Sequence, residues 1–349
     1  MTRRRSRLAA ATAATSLFLF AAVATFSGCG EGSGPGAAPS ATPASPPGTA
    51  TPDAPDAAVA DAALDAAADA AVGSTGPAPA GAQPGAPADP DGDGLPGTSQ
   101  GCPADMVLVD GDYCPNVDQV CVRYHDEYEK DRERKKKQEE KGEGSGASTV
   151  SERCLEYRAP TECLSKKRTP MRYCMDRYEW PNKKGEVPML LISWVDAKKT
   201  CESIGKRLCT EDEFNLACEG EEMLPYTYGY TRDPAKCNID RPYRKRQKKL
   251  RKYERCMKDP RCKAELARID QRAPAGSMPQ CVSPFGIYDL NGNINEWVVR
   301  PGKKYPDRSG LKGGWWGPVR GRCRPTVGFH KEEDYGYEEG FRCCKDAEP

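Results

Sequence analysis

The chain has 349 residues, 52 Lys and Arg against 51 Asp and Glu, 17 cysteines and two histidines. With no Cys-x-x-Cys pair and only His125 and His330, the composition argues against a structural zinc site, a histidine-rich iron centre or a histidine-based hydrolase triad. Sixteen of the cysteines lie between Cys102 and Cys344, an even set that points to a disulfide framework made in an oxidising compartment.

Residues 1–28 read as a lipoprotein signal peptide. Arg3, Arg4, Arg5 and Arg7 supply the positive start, Leu8 to Phe26 the apolar run, and Ser27-Gly28 the small residues before a cysteine. The ending resembles a bacterial lipoprotein cleavage box, with Phe26 where leucine is usual. The mature chain would then begin at Cys29 carrying several acyl chains, which expects an exported, membrane-anchored lipoprotein of the bacterial cell envelope. The paired arginines also permit twin-arginine export. Residues 29–100 read as a disordered Ala/Pro/Gly-rich tether. Between Gly30 and Gln100 there is no aromatic residue, lysine or arginine, so too little apolar surface exists to offset ordering entropy. As a coil it spans roughly 45–50 Å. Asp89 to Gly94 resembles the start of a calcium loop, but Gln100 stands at the twelfth position, so an acidic turn is the reading.

Residues 101–349 are long enough for one domain with a sizeable core. Met106 to Val109 reads as an opening strand, followed by a turn at Asp110-Gly-Asp112. Glu127 to Lys141 is almost entirely charged. Ser193 caps a helix from Trp194 to Ile204, with Trp194, Ala197, Cys201 and Ile204 on one face and Gly205 as its stop. Thr210 and Glu213 form a capping box for a second helix running to Cys218, with Phe214 and Ala217 facing inward. Beyond Gly220 the scattered glycine, proline and aromatic residues suggest irregular structure with small strands.

Arg241 to Arg272 carries 14 basic and 4 acidic residues. Cys256 and Cys262 flank Asp259-Pro260, giving two short helices stapled across a proline break. A solvated, disulfide-braced insertion is preferred here over a face for anionic glycan or lipid headgroups. Nucleic acid is not expected, since no aromatic stacking platform accompanies the charge.

Phe285 to Trp297 packs apolar anchors, a turn at Asn291-Gly292-Asn293, and two carboxylates into thirteen residues. Asp289 and Glu296 can converge across that turn with main-chain carbonyls, a hard oxygen set of the kind calcium takes. A turn capped by polar side chains fits the spacing equally well.

This stretch occurs together with Ser193-Trp-Val-Asp-Ala197, Gly205 to Ala217, Lys312-Gly-Gly-Trp-Trp316 and Gly340-Phe-Arg-Cys-Cys344. In that order the motifs resemble the formylglycine-generating enzyme family, the sulfatase-modifying factor domain, from about Met171 to Cys344. The resemblance implies an α+β fold, a variant of the C-type lectin-like architecture with low regular secondary structure and many disulfides. It implies calcium held by Asp289, the main-chain oxygens of Gly292 and Ile294, and Glu296. A second family calcium site begins with an Asn-Ile pair, matched by Asn238 and Ile239, and its acidic partner stays open.

The family's oxidation of a substrate cysteine uses copper(I) on two thiolates, because soft sulfur suits copper(I). Those positions fall on Pro318 and Cys323, and proline cannot ligate. A family serine is replaced by Trp315 and a cleft tryptophan by Asn295. Copper is therefore not expected. Cys323 is left as the single catalytic candidate, with a structural disulfide its preferred role. Cys343 or Cys344 remains as a second thiolate, although adjacent cysteines are expected to bond to different partners. His330, after Gly328-Phe329, reads as a loop histidine more readily than as a base or ligand.

What remains is a cleft bordered by Trp315, Trp316, Arg320, Arg322, Arg324 and Asn295. Aromatic faces beside guanidinium groups suit a peptide, carboxylate or sugar ligand, and the same residues equally suit the packed end of the domain. The expected role is a catalytically degenerate ligand- or peptide-binding module. The alternative is a working oxidase acting on a cysteine of a sulfatase or other protein.

Overall fold

The computed structural model describes residues 101–142 and 150–349; the signal segment 1–28, Cys29, the tether 29–100 and the acidic turn at Asp89 to Gly94 lie outside the described residues. The principal sheet has four antiparallel strands in the order Met106–Tyr113, Thr169–Asp176, Cys343–Asp346 and Arg207–Leu208. Its inner face buries Val107, Val109, Tyr173 and Met175 against Phe214, Leu216, Ala217, Ile287 and Leu290. The turn expected at Asp110-Gly-Asp112 does not form. Each of those residues pairs with the partner strand, Asp110 with Arg172 and Asp112 with Pro170, so the strand continues to Tyr113. A partner strand of eight residues, in register with all eight positions from Met106 to Tyr113, overrides the local turn preference of Asp and Gly.

A second sheet of three strands places Asn295–Val299 between Glu339–Gly340, which is parallel to it, and the antiparallel Ser309–Lys312. Two indole groups lock this sheet to its neighbours: Trp194 Nε1 donates to Val298 O and Trp297 Nε1 to Ile192 O, each at 2.9 Å. The remaining strands are short pairs, and regular structure after Gly220 is sparse, as the composition suggests. The result is a mixed α+β fold of short elements.

The helix Trp194–Ser203 begins at Ser193, whose Oγ accepts from Asp196 N at 3.3 Å. Trp194, Ala197 and Cys201 are buried, but Ile204 is 47 % exposed. It falls at the C-cap, one step beyond the last helical residue, where the chain turns away from the core toward Gly205. The helix Glu211–Glu219 carries the capping box of Thr210 and Glu213, with Phe214 and Ala217 fully buried. The charged segment forms a helix, Asp126–Glu140, whose sole buried residue is Asp131. It has no apolar stripe by which a sequence pattern could announce it.

In the insertion, Tyr253–Lys258 and Pro260–Ile269 are the two short helices, joined by a Cys256–Cys262 bridge. Asp259 caps the second by accepting from Arg261 N, with Pro260 at the first helical position. The insertion is anchored rather than merely solvated: Leu250, Leu266 and Ile269 pack with Leu190, Leu191, Ile294 and Trp316.

Eight disulfides use all sixteen cysteines from Cys102 to Cys344. Cys343 pairs with Cys201 and Cys344 with Cys209, so the adjacent cysteines have separate partners. These two bonds and Cys218–Cys323 close loops of 105 to 142 residues. In the chain-entropy account each restricts the unfolded state by about 5 kcal/mol.

Candidate functional site

The chemistry of the site begins with backbone geometry at Asp289 to Glu296. Asp289, Gly292 and Asn293 all adopt positive φ, at 62°, 80° and 56°. A Cβ on Gly292 would collide with the Asn238 carbonyl and Ile239, so glycine is required there. The Asn293 side chain closes the turn from both ends. Its amide donates to Glu179 Oε2 at 2.6 Å, and its oxygen accepts from Ala273 N and from Asn238 Nδ2 at 2.8 and 3.0 Å. Asn238, the start of the suggested second calcium site, is thereby occupied, and it also accepts from Arg241 Nε at 2.9 Å.

Behind the turn three buried carboxylates face one guanidinium. Glu296 holds Arg342 in a forked pair at 2.6 and 2.7 Å, both side chains 1 % exposed. Asp289 Oδ2 accepts from Gly276 N at 2.7 Å. Glu179 accepts from Asn293 and from Ile294 N. Burial pushes all three carboxyls above their ordinary range, opposed by Arg342. Fully ionised, the cluster would carry two negative charges beyond what Arg342 neutralises, so either protons or a cation must complete it.

Of the residues expected to hold calcium, Asp289 and Glu296 share this buried cluster, whose charge and hard oxygen donors fit a divalent cation. Against that, both Glu296 oxygens are already bonded to Arg342. Among the described residues no three His, Cys, Asp or Glu side chains form a metal site by themselves. Sequence reasoning missed Glu179, which has no motif of its own, and the role of Arg342. An arginine set between Phe341 and Cys343, in the short link between two strands, was the available signal.

The copper position does not fit copper(I). Pro318 stands at one thiolate position, and Cys323 is bonded to Cys218 inside the core. Cys323 is therefore a structural cysteine, which corrects its candidacy as catalyst. Cys343 and Cys344 are likewise bonded and supply no thiolate.

Nor do the six expected cleft residues assemble into an open cleft. Trp316 is 1 % exposed, wedged between the insertion and Tyr337. Arg324 turns inward to a forked pair with Glu219 and donates to Cys114 O at 2.6 Å. Asn295 is a buried strand residue. Arg322 bonds Gln119 Oε1 at 3.1 Å and covers the Tyr157 ring. Only Trp315, half-buried edge-on to Trp316 and Tyr337, and the exposed Arg320 keep surface for a ligand. The buried members are satisfied there by partners distant in sequence. His330 Nδ1 lies 3.2 Å from Glu339 Oε1 and edge-on to Trp297, a supporting position.

Residues 131–347 match the family described as the sulfatase-modifying factor enzyme 1-like domain, a match that reaches upstream of Met171. Inactive C-alpha-formylglycine-generating enzyme 2 of Bos taurus is 29% identical over 170 residues, 46% of this chain and 51% of the relative. Its Mus musculus counterpart is 29% identical over 172 residues, 46% and 50% of the two chains. The chain spans about half the length of the curated relatives it matches. Among solved structures, CarF covers 70% of this chain with 99% of its own, at 15% identity and TM-score 0.41. PvdO from Pseudomonas aeruginosa covers 69% with 94% of its own, at 16% identity and TM-score 0.38.

Beneath the paired glycines, Lys312 is fully buried and donates to Asn215 Oδ1 at 2.6 Å, Arg324 O at 2.7 Å and Thr326 Oγ1 at 3.3 Å. Burial outweighs these acceptors and the nearby Glu211, taking the ammonium from 10.5 down to about 7. Because the folded protein then binds fewer protons than the unfolded chain between those values, this group makes stability rise with pH across that window. Denaturation midpoints of the wild type should climb between pH 7 and 9, by at most about 1.4 kcal/mol per pH unit, and Lys312→Met should flatten the slope. A slope unchanged in the variant would show that Lys312 stays charged.

Proposed function

Since the chain belongs to the sulfatase-modifying factor enzyme 1-like family, we propose that its domain is a catalytically degenerate binding module displayed by an exported, membrane-anchored lipoprotein. One observation carries the reading: the residue pair that would hold copper(I) is a proline and a disulfide-bonded cysteine. Oxidising a substrate cysteine on copper needs two free thiolates at that place, and Pro318 offers no sulfur while the Cys323 sulfur is bonded to Cys218. The two mammalian relatives are themselves described as inactive, which agrees with it. The ligand would be a peptide or glycan meeting the surface that carries Trp315 and Arg320, an aromatic edge and a guanidinium five residues apart in the chain.

Calcium is the second part of the proposal. Asp289, the carbonyls of Gly292 and Ile294, and Glu296 would hold the ion, which would balance the negative charge that Arg342 leaves. Its role is to stabilise the turn, with no part in any reaction. The Cys29 lipid anchor and the tether would place the domain away from the membrane surface.

Three measurements test these points. The full chain, purified oxidised and supplied with copper(I), should bind no copper tightly and should convert no cysteine peptide to its aldehyde; aldehyde formation would overturn the loss of catalysis. A calcium chelator should lower the melting temperature of the wild type and leave that of Glu296→Ala and Asp289→Asn unmoved. A wild type insensitive to the chelator means that Arg342 and protons suffice. Cys29→Ala should move the protein from the membrane to the soluble fraction, and unaltered fractionation would end the anchor assignment.

A further inference from the structure

The insertion borders an open hollow of about 580 Å³ between residues 248–262 and Tyr335. That volume lies within the roughly 300–1,000 Å³ of small-molecule sites. Its walls carry Lys248, Lys249, Arg255 and Arg261, all exposed. None of these four side chains makes an ion pair among the described residues. Their basic neighbours are engaged: Arg251 faces Asp259 at 3.5 Å, and Lys252 donates to Asp196 Oδ2 and Ser193 Oγ at 2.7 and 3.2 Å.

Four unpaired cations around one concavity repel each other and focus a positive field into it. A flexible segment would spread them apart. This one is held: the Cys256–Cys262 bridge joins the two helices, and buried Glu265 accepts from Gln247 N at 2.6 Å and Lys248 N at 3.2 Å. Leu250 packs beneath the hollow into the cluster that contains Trp316. The cations are therefore kept in place by contacts that do not involve them.

The lining is not charge alone. Tyr335 borders the hollow half-buried, with the Lys252 ammonium 5.9 Å from its ring, and Leu250 adds an apolar floor. A ring face beside an apolar patch suits the C–H face of a sugar, while the surrounding lysines and arginines suit its sulfate or carboxylate groups. A bare phosphate would use the cations and leave the aromatic wall idle. A bilayer, being flat, cannot fill a concavity.

We propose that this hollow, whose lining includes neither Trp315 nor Arg320, is a binding site for an anionic oligosaccharide bearing sulfate or uronate groups. It stands whether or not the domain has lost catalysis. The test is calorimetric titration of the full chain with a heparin-type sulfated octasaccharide. Parallel arms use inorganic sulfate and phosphatidylglycerol vesicles with the full chain carrying Cys29→Ala. Binding of the octasaccharide that weakens about tenfold or more in Lys249→Gln/Arg255→Gln/Arg261→Gln, from loss of charge-assisted contacts, is expected. Tyr335→Ala should weaken the octasaccharide several-fold and leave sulfate unchanged. An equal loss of charge at Lys130, Lys136 and Lys137, on the helix Asp126–Glu140, which does not line the hollow, should leave affinity unaltered, and unfolding midpoints report that each variant is folded. Absence of octasaccharide binding, affinity retained in the triple variant, an equal effect of the control charges, no effect of Tyr335→Ala, or tighter binding to vesicles than to the saccharide would each overturn the proposal.

Discussion

The forked pair of Arg342 with Glu296 is the interaction around which this domain is organised. Arg342 also donates to the carbonyls of Asp176, Arg177 and Tyr288, at 3.3, 3.4 and 2.9 Å. One guanidinium thereby joins the end of a long strand of the four-stranded sheet, the loop before the carboxylate turn and the central strand of the three-stranded sheet. Its neighbours in sequence fasten the same point. Phe341 stacks on Trp180, while Cys343 donates its N–H to Asp176 Oδ2 and bonds to Cys201. A buried pair of this kind contributes little against an apolar replacement, yet losing one partner strands a charge at a cost of about 3–5 kcal/mol. It fixes arrangement more than it adds stability.

The same economy of groups explains the state of the site. The turn at Gly292 is kept by its glycine and by the Asn293 side chain, through contacts made entirely within the protein. Cys323 is likewise committed to structure. Cys323 closes a loop of 105 residues to Cys218, and a sulfur used as a staple cannot serve as a metal ligand. In a domain with so few long strands, closing that loop is a substantial part of what the chain has in place of ladder bonds.

The basic insertion shows how burial and charge divide one segment. Its apolar side chains pack on Trp316 and thereby remove that tryptophan from any cleft, while its lysines and arginines face outward around a hollow. Trp316 could not serve both as wall of an open groove and as anchor for thirty added residues. Ligand contact, where it occurs, is displaced to what remains exposed.

Much of the local structure was legible in the residues. Ser193, the Thr210–Glu213 box and Pro260 announced their helices because caps act through neighbouring backbone groups. The even cysteine set announced complete pairing. The tertiary structure alone decided which cysteines pair, that Glu179 joins Asp289 and Glu296, and that Asp110 to Asp112 continue a strand. It also decided that Trp316 and Arg324 turn inward, and that four cations of the insertion face one hollow. Those outcomes depend on groups far apart in the chain meeting in space, and neither periodicity nor motif spacing carries that information.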